Sequence, residues 1–260
     1  AVFYFLNTLK KLILEYNFNK VVVTWDGPKN YESRRKVYKN YKINRANKRL
    51  SDEQKESLYS QKVRVKQYLE EIFMRQCEFS GHEADDCIAY YCINNNNEEV
   101  TILSNDRDLT QLVSDSVNLK LLNSLGVVKK GLYKYVKNIT LEYFLHICRD
   151  KHLKGESNFR VNNIVKGLTK EGELGDDFFK RNKFLVDLSK TLLPIESQKE
   201  IQELISENMD PEGRSYKNLL RMMMEDGLFN FIGNSDESFL NFTEPLLMLT
   251  RIEKNKFKKI

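Results

Sequence analysis

A chain of 260 residues, 30% charged and 41% hydrophobic, can bury one sizeable core with room for a second, smaller unit. No apolar run approaches the roughly 20 residues of a membrane span, no signal peptide is visible, and Cys77, Cys87, Cys92 and Cys148 lack CxxC or zinc-ligand spacing. The expectation is a reduced, cytoplasmic monomer whose net charge of +5 says less than its distribution.

The chain opens without an initiator Met, inside an apolar periodic segment, as if something upstream were missing. Phe3, Leu6, Leu9, Leu12, Ile13 and Tyr16 fit a helix with one buried face. Residues 20–25 then form an apolar run of strand type, expected to be buried on both faces of a parallel sheet. Asp26-Gly27-Pro28 stops it and leaves Asp26 at the strand's carboxyl end, where open α/β sheets assemble their sites. Residues 31–49 are too basic for a core helix and read as an arch or an exposed helix. Ser51 is an N-cap signal. Its helix is expected to run to about Gln76, with Leu58, Val63, Val65, Tyr68, Leu69 and Ile72 inward.

Gly81-His82-Glu83-Ala84-Asp85-Asp86 reads as another helix start, carrying three carboxylates, with Ile88, Ala89, Tyr91 and Cys92 as its buried face. The strand 100–104 follows, ending in Asp106 and Asp108. A short helix is expected at 109–113, and a hairpin or edge strand pair at 118–122 and 127–130. From residue 140 onward the pattern is helical, at 141–148, 177–188, 196–207, 216–224 and 238–249. A boundary near residue 136 separates an α/β half from a helical half. His82, His146 and His152 read as structural or surface residues, and Met222-Met223-Met224 as core filling.

The acids carry the chemistry. Carboxylates in a first helical turn are favoured by the helix dipole at about 0.3–1 kcal/mol each, which accounts for one or two of Glu83, Asp85 and Asp86. It does not account for Asp106 and Asp108, which would point to the same side of an extended chain, although Asp106 reads equally as an N-cap. With Asp26 they make an oxygen-rich set of the kind that hard divalent ions such as Mg2+ and Mn2+ prefer. Arg34, Arg35, Lys36, Lys39, Lys42, Arg45, Lys48 and Arg49 crowd one stretch. A charge run is usually a solvated face, but the interleaved Tyr38 and Tyr41 offer stacking surfaces for unpaired bases. Tyr38, Tyr41, Lys42 and Arg45 would share one helical face. Cations that hold a polyanion beside carboxylates that hold a metal suit an enzyme of the phosphate backbone.

Four blocks then agree in type, order and spacing: Trp25-Asp26-Gly27; Arg34-Arg35 with Tyr41-Lys42 and Asn44-Arg45; Glu83-Ala84-Asp85-Asp86; and Ser104-Asn105-Asp106-Arg107-Asp108. Together they resemble the 5′-nuclease superfamily of flap endonucleases, 5′–3′ exonuclease domains of bacterial polymerases and bacteriophage 5′ exonucleases. The stretch from Arg34 to Arg45 is most similar to phage enzymes of the T-even ribonuclease H type.

The resemblance implies an α/β fold: a PIN-like parallel sheet flanked by helices, with a helical arch (about 31–50), a nuclease core over 1–136 and a helical DNA-binding domain over 137–260. It implies hydrolysis of phosphodiesters near 5′ ends, flaps or forks of DNA or RNA–DNA duplexes by two Mg2+ (or Mn2+) ions. It matches Asp26, Glu83, Asp85, Asp86, Asp106 and Asp108 to the acids around those metals. It matches Lys42, with Arg34 or Arg35, to catalytic arch cations. Tyr38, Tyr41, Arg45, Lys48, Arg49 and Lys166 would bind nucleic acid. The chain begins after the family's first-strand aspartate, and Asp150 or Glu156 stands in for a degraded outer-ligand block. A replication clamp or single-strand-binding protein would be the partner. The rival readings are a PIN-type ribonuclease and a non-catalytic DNA-junction binder.

Overall fold

The computed structural model describes residues 2–16, 18–42, 50–95, 97–121, 184–185, 187–206, 215–233, 235–248 and 251. The elements in chain order are α1 (Val2–Tyr16), β1 (Val22–Trp25), α2 (Glu32–Val37), α3 (Asp52–Glu71), β2 (Arg75–Glu78), α4 (Ala84–Asn94), β3 (Val100–Ser104), a 3-10 helix (Arg107–Leu112), β4 (Val117–Leu121), α5 (Ile195–Ser206), α6 (Tyr216–Glu225), α7 (Phe229–Ile232) and α8 (Asp236–Leu246). They fall into two compact units interleaved along the chain. One comprises residues 1–23, 44–77 and 199–260, and the other residues 24–43 and 78–198. The boundary expected near residue 136, the strand at 127–130, the helix at 141–148, Arg45, Lys48, Arg49, Asp150, Glu156 and Lys166 lie outside the described residues.

In the first unit, α1 buries Leu6, Leu9, Leu12 and Ile13, as their three- and four-residue spacing requires. It packs against α3 and α8, with Phe3 stacked on Phe231 and Phe242 at centroid distances of 5.0 and 5.7 Å. Ser51 starts α3 with a capping box, trading backbone N–H bonds with Gln54. The helix stops at Glu71 rather than near Gln76. Phe73 takes a left-handed φ of 60°, and Arg75–Glu78 leaves to pair with β1, so sheet pairing overrides the helical pattern. Val65, Tyr68, Leu69 and Ile72 are buried as expected, but Leu58 and Val63 are exposed because the helix is solvated throughout residues 51–60. Met222 and Met223 fill the core, whereas Met224 faces solvent.

In the second unit, β3 and β4 pair in parallel, with Val100 opposite Val117 and Ser104 opposite Leu121. The segment expected in a hairpin or edge strand pair is a parallel neighbour of β3, and its expected partner at 127–130 lies outside the described residues. Ala89 and Cys92 of α4, Ile102, Leu109, Leu112, Val117 and Leu188 form its core. Burial pushes the Cys77 thiol of the first unit and the Cys92 thiol of the second up to about 12, so both are neutral packing groups, not reactive thiols. The residues of β1 are all half-buried, and β1 and β2 form a two-stranded sheet among the described residues. The expectation of a strand covered on both faces does not hold.

Two loops position the site. Gly27 donates its N–H to the His82 carbonyl at 3.2 Å, Gly81 donates to the Pro28 carbonyl at 2.8 Å, and Ser33 donates to the Gly81 carbonyl at 3.2 Å. A Cβ on Gly27 would lie 1.8 Å from the Phe79 carbonyl oxygen, so only glycine permits this approach. Gly27→Ala should therefore cost about 1–3 kcal/mol through overpacking, read as a lower thermal midpoint. An unchanged midpoint would mean that the Phe79 turn yields freely.

Candidate functional site

Charge collects at the start of α4. Glu83 is its N-cap, and Asp85 and Asp86 follow in the first turn, where the unpaired N–H groups favour negative charge. Asp86 Oδ2 accepts the Glu83 N–H at 3.0 Å. Asp26, at the end of β1, accepts the Ala84 N–H at 3.0 Å.

The basic segment closes onto these acids. Tyr38 donates its N–H to the Arg34 carbonyl as α2 ends at Val37, and the turn that follows brings Tyr41 and Lys42 inward. Arg34, 1% exposed, forks onto Asp86 with both contacts at 2.8 Å and reaches Glu83 Oε2 at 3.1 Å. Tyr41 donates its hydroxyl to Glu83 Oε2 at 2.9 Å, and Lys42 pairs with Glu83 Oε1. Lys42 also lies 5.0 and 5.2 Å from the ring centroids of Tyr31 and Tyr41. Arg35 stays exposed, donating to the Tyr41 carbonyl at 3.3 Å.

Several expectations are thereby corrected. Tyr41 offers no stacking surface for a base, because it is 1% exposed and its hydroxyl is bound to Glu83. The shared helical face of Tyr38, Tyr41 and Lys42 does not form, since α2 ends before all three. Arg34 is enclosed by protein groups. Asp106 and Asp108 do not sit on one extended strand: β3 ends at Ser104, Asp106 Oδ1 accepts the Asp108 N–H at 2.9 Å, and Asp108 is buried in the first turn of the 3-10 helix. The N-cap reading of Asp106 describes this geometry. Two participants escaped the sequence reading. Tyr31 lies beneath both Arg35 and Lys42, and His82 is buried with Nδ1 3.8 Å from Asp86 Oδ2. The i, i+4 spacing of His82 and Asp86 was the available signal for the second.

Among the described residues no three His, Cys, Asp or Glu side chains converge on a metal position, and Glu83 and Asp86 are already neutralised by Lys42 and Arg34.

Burial by itself would raise the Asp86 pKa. His82, Arg34 and the Glu83 N–H outweigh it and hold the carboxyl below the usual carboxylate range. At 3.8 Å the His82 contribution is electrostatic and not a formed hydrogen bond, so Arg34 is the dominant partner. A depressed folded pKa gives stability that is complete above the ordinary value near about 4 and is lost as pH falls toward the folded value. Asp86→Asn should therefore cost up to about 3–5 kcal/mol at neutral pH. The gap in urea midpoint from the wild type should hold above about pH 5 and narrow below about pH 4; a gap that stays constant into acid would contradict the assignment.

A family model described as 5′-3′ exonuclease, N-terminal resolvase-like domain, matches residues 1–145. The chain is similar to a 5′-3′ exonuclease of Bacillus subtilis, 30% identical over 215 residues, covering 78% of this chain and 67% of that protein. It is 31% identical over 171 residues to a 5′-3′ exonuclease of Buchnera aphidicola (subsp. Schizaphis graminum), covering 64% of this chain and 55% of the relative. A thermostable DNA polymerase I of Thermus caldophilus matches at 35% over 119 residues, 45% of this chain and 13% of the polymerase. The chain thus spans about half to two thirds of the length of the exonuclease relatives. Since the family model covers more than half of the sequence, the chain belongs to the 5′-3′ exonuclease family, whose N-terminal resolvase-like domain occupies residues 1–145.

Proposed function

We propose that this protein is a metal-dependent 5′–3′ exonuclease and flap endonuclease, hydrolysing phosphodiesters near 5′ ends or junctions of DNA or RNA–DNA duplexes. The observation that carries the reading is the direct contact of the basic segment with the acidic start of α4, through Lys42 and Glu83. In this reading residues 31–50 are the arch, the segment from 137 onward binds DNA, and exposed Arg35, Lys36 and Lys39 hold backbone phosphates. Arg45, Lys48, Arg49 and Lys166 extend that surface, and Tyr38 contributes an aromatic face. Lys42 is the cation that offsets charge developing on the scissile phosphate.

The cofactors of this reading are two Mg2+ or Mn2+ ions, for which Asp26, Glu83, Asp85, Asp86, Asp106, Asp108, Asp150 and Glu156 are the candidate oxygen donors. Such ions lower the pKa of bound water and stabilise charged oxygens. An entering ion competes with Lys42 for Glu83. Primer removal or flap trimming in phage-type replication, in the host cytoplasm and beside a sliding clamp or single-strand-binding protein, is the role that suits this activity. A second reading, a non-catalytic junction binder, is favoured by one observation: the acids at α4 already carry internal cations.

A 5′-labelled flap duplex with Mg2+ separates the two. Cleavage that disappears in Asp106→Ala supports the nuclease. Salt-sensitive junction binding that survives EDTA, with no cleavage in Mg2+ or Mn2+, supports the binder. Lys42→Ala should slow cleavage yet bind Mn2+ several-fold more tightly by calorimetry, because Glu83 loses its competing cation; weaker Mn2+ binding would contradict that competition.

A further inference from the structure

We infer that Arg34 and Gln111 are positioning residues that suspend the two acidic turns of the site from one downstream segment, at Leu185 and Leu188. The inference deepens the nuclease reading and rests on it only for the catalytic consequence. Arg34 holds Asp86 with both arms of its guanidinium and donates its Nε–H to the Leu185 carbonyl at 3.2 Å, across 151 positions of sequence. Gln111 makes the corresponding tie on the other side. Its Nε2 donates to the Asp108 carbonyl at 2.9 Å, and its Oε1 accepts the Leu188 N–H at 3.3 Å. Leu185 and Leu188 are themselves buried, Leu188 within the core that holds α4 and the 3-10 helix.

One short segment is thus bonded at one point to the residue that clamps the start of α4. At another it is bonded to the residue that reads the first turn of the 3-10 helix. The spacing between the Asp86 turn and the Asp108 turn is set through these bonds as well as through apolar packing. Packing alone is tolerant of small slides, whereas hydrogen bonds of defined donor and acceptor fix a register. Arg34 acts through Asp86, so it is not a phosphate contact.

The test is amide hydrogen exchange of the full chain, read on peptides covering residues 184–193, in Arg34→Lys, Gln111→Ala and Gln111→Glu. Lysine keeps the charge opposite Asp86 but loses the Nε–H to Leu185. Glutamate keeps the oxygen that accepts the Leu188 N–H while losing the donor to the Asp108 carbonyl, and alanine loses both. Arg34→Lys and Gln111→Ala should speed exchange there by roughly tenfold or more through local opening, while Gln111→Glu stays within about threefold of the wild type. On a 5′-flap duplex the same two variants should lower kcat with KM within about twofold.

Unchanged exchange in 184–193 in both Arg34→Lys and Gln111→Ala would overturn the proposal. A rise in KM at constant kcat for Arg34→Lys would do so too, since that is the signature of a substrate contact. If Arg34→Lys does not accumulate as folded protein, the contrast between Gln111→Ala and Gln111→Glu decides alone. If the wild type cleaves nothing, the nuclease reading falls while the exchange data still judge the tie.

Discussion

The fork of Arg34 onto Asp86 is the interaction on which the second unit depends. Removing two charges from water costs several kcal/mol per ion, so such a pair persists only where geometry and neighbours offset the loss. Here both guanidinium arms reach the carboxylate at 2.8 Å, the Glu83 N–H adds a further bond, and the first turn of α4 supplies the positive end of a helix dipole. Burial lowers the guanidinium pKa, but the bond to Asp86 and the charges of Asp86 and Glu83 outweigh it and raise it further. Both shifts favour the charged pair at neutral pH. Once Arg34 is fixed, α2 is anchored to α4, and the turn carrying Tyr41 and Lys42 is delivered to Glu83.

That delivery stores strain. Lys42 has a left-handed φ of 52°, a conformation that costs a residue other than glycine roughly 1–3 kcal/mol. It is held by the Glu83 carboxylate and by the faces of Tyr31 and Tyr41. The charges of Arg34, Lys42, Glu83 and Asp86 sum to zero. Whatever enters at Glu83 or Asp86 meets charges already paired with Lys42 and Arg34, so it must exchange with an internal partner. Glu83 is the exchangeable member, since its oxygens face three separate groups. Asp86, doubly bound to one arginine, is the fixed one.

Local features of this arrangement were legible in the sequence. The acids of the α4 first turn, the Ser51 cap and the apolar spacing of α1 follow from rules that act over four residues, and each is present. Partner choice was not legible. Arg34 and Asp86 lie 52 positions apart and Arg34 and Leu185 151, distances over which neither periodicity nor charge pattern carries information. A run as basic as 34–49 is ordinarily solvated, so nothing local marked Arg34 and Lys42 as buried. The early end of α3 had the same origin, because the pairing of β2 with β1 competes with a helical pattern that would otherwise continue through Arg75. At Asp106 and Asp108 a local rule did operate, but it was capping, and capping displaced the strand alternation.

The placement of buried charge separates function from scaffold. In the first unit Arg64 meets Asp226 at 2.8 Å and Glu225 at 3.0 Å, with Tyr68 donating to Asp226 at 2.8 Å. The chemistry is that of Arg34 and Asp86, but these ions are partly solvated, where such pairs contribute about 0–1 kcal/mol and serve to align α3 with α6. The buried acidic, basic and histidine residues among those described are Arg34, Lys42, Arg75, His82, Glu83, Asp86 and Asp108. Arg75 is accounted for by its bond to the Leu204 carbonyl at 2.8 Å. The other six all lie on the basic segment, at the start of α4 or in the 3-10 helix. Buried ion pairs are often replaceable by apolar residues without loss of stability. A fold that concentrates its desolvated charge around the start of α4 and the 3-10 helix matches the pattern expected of a functional site.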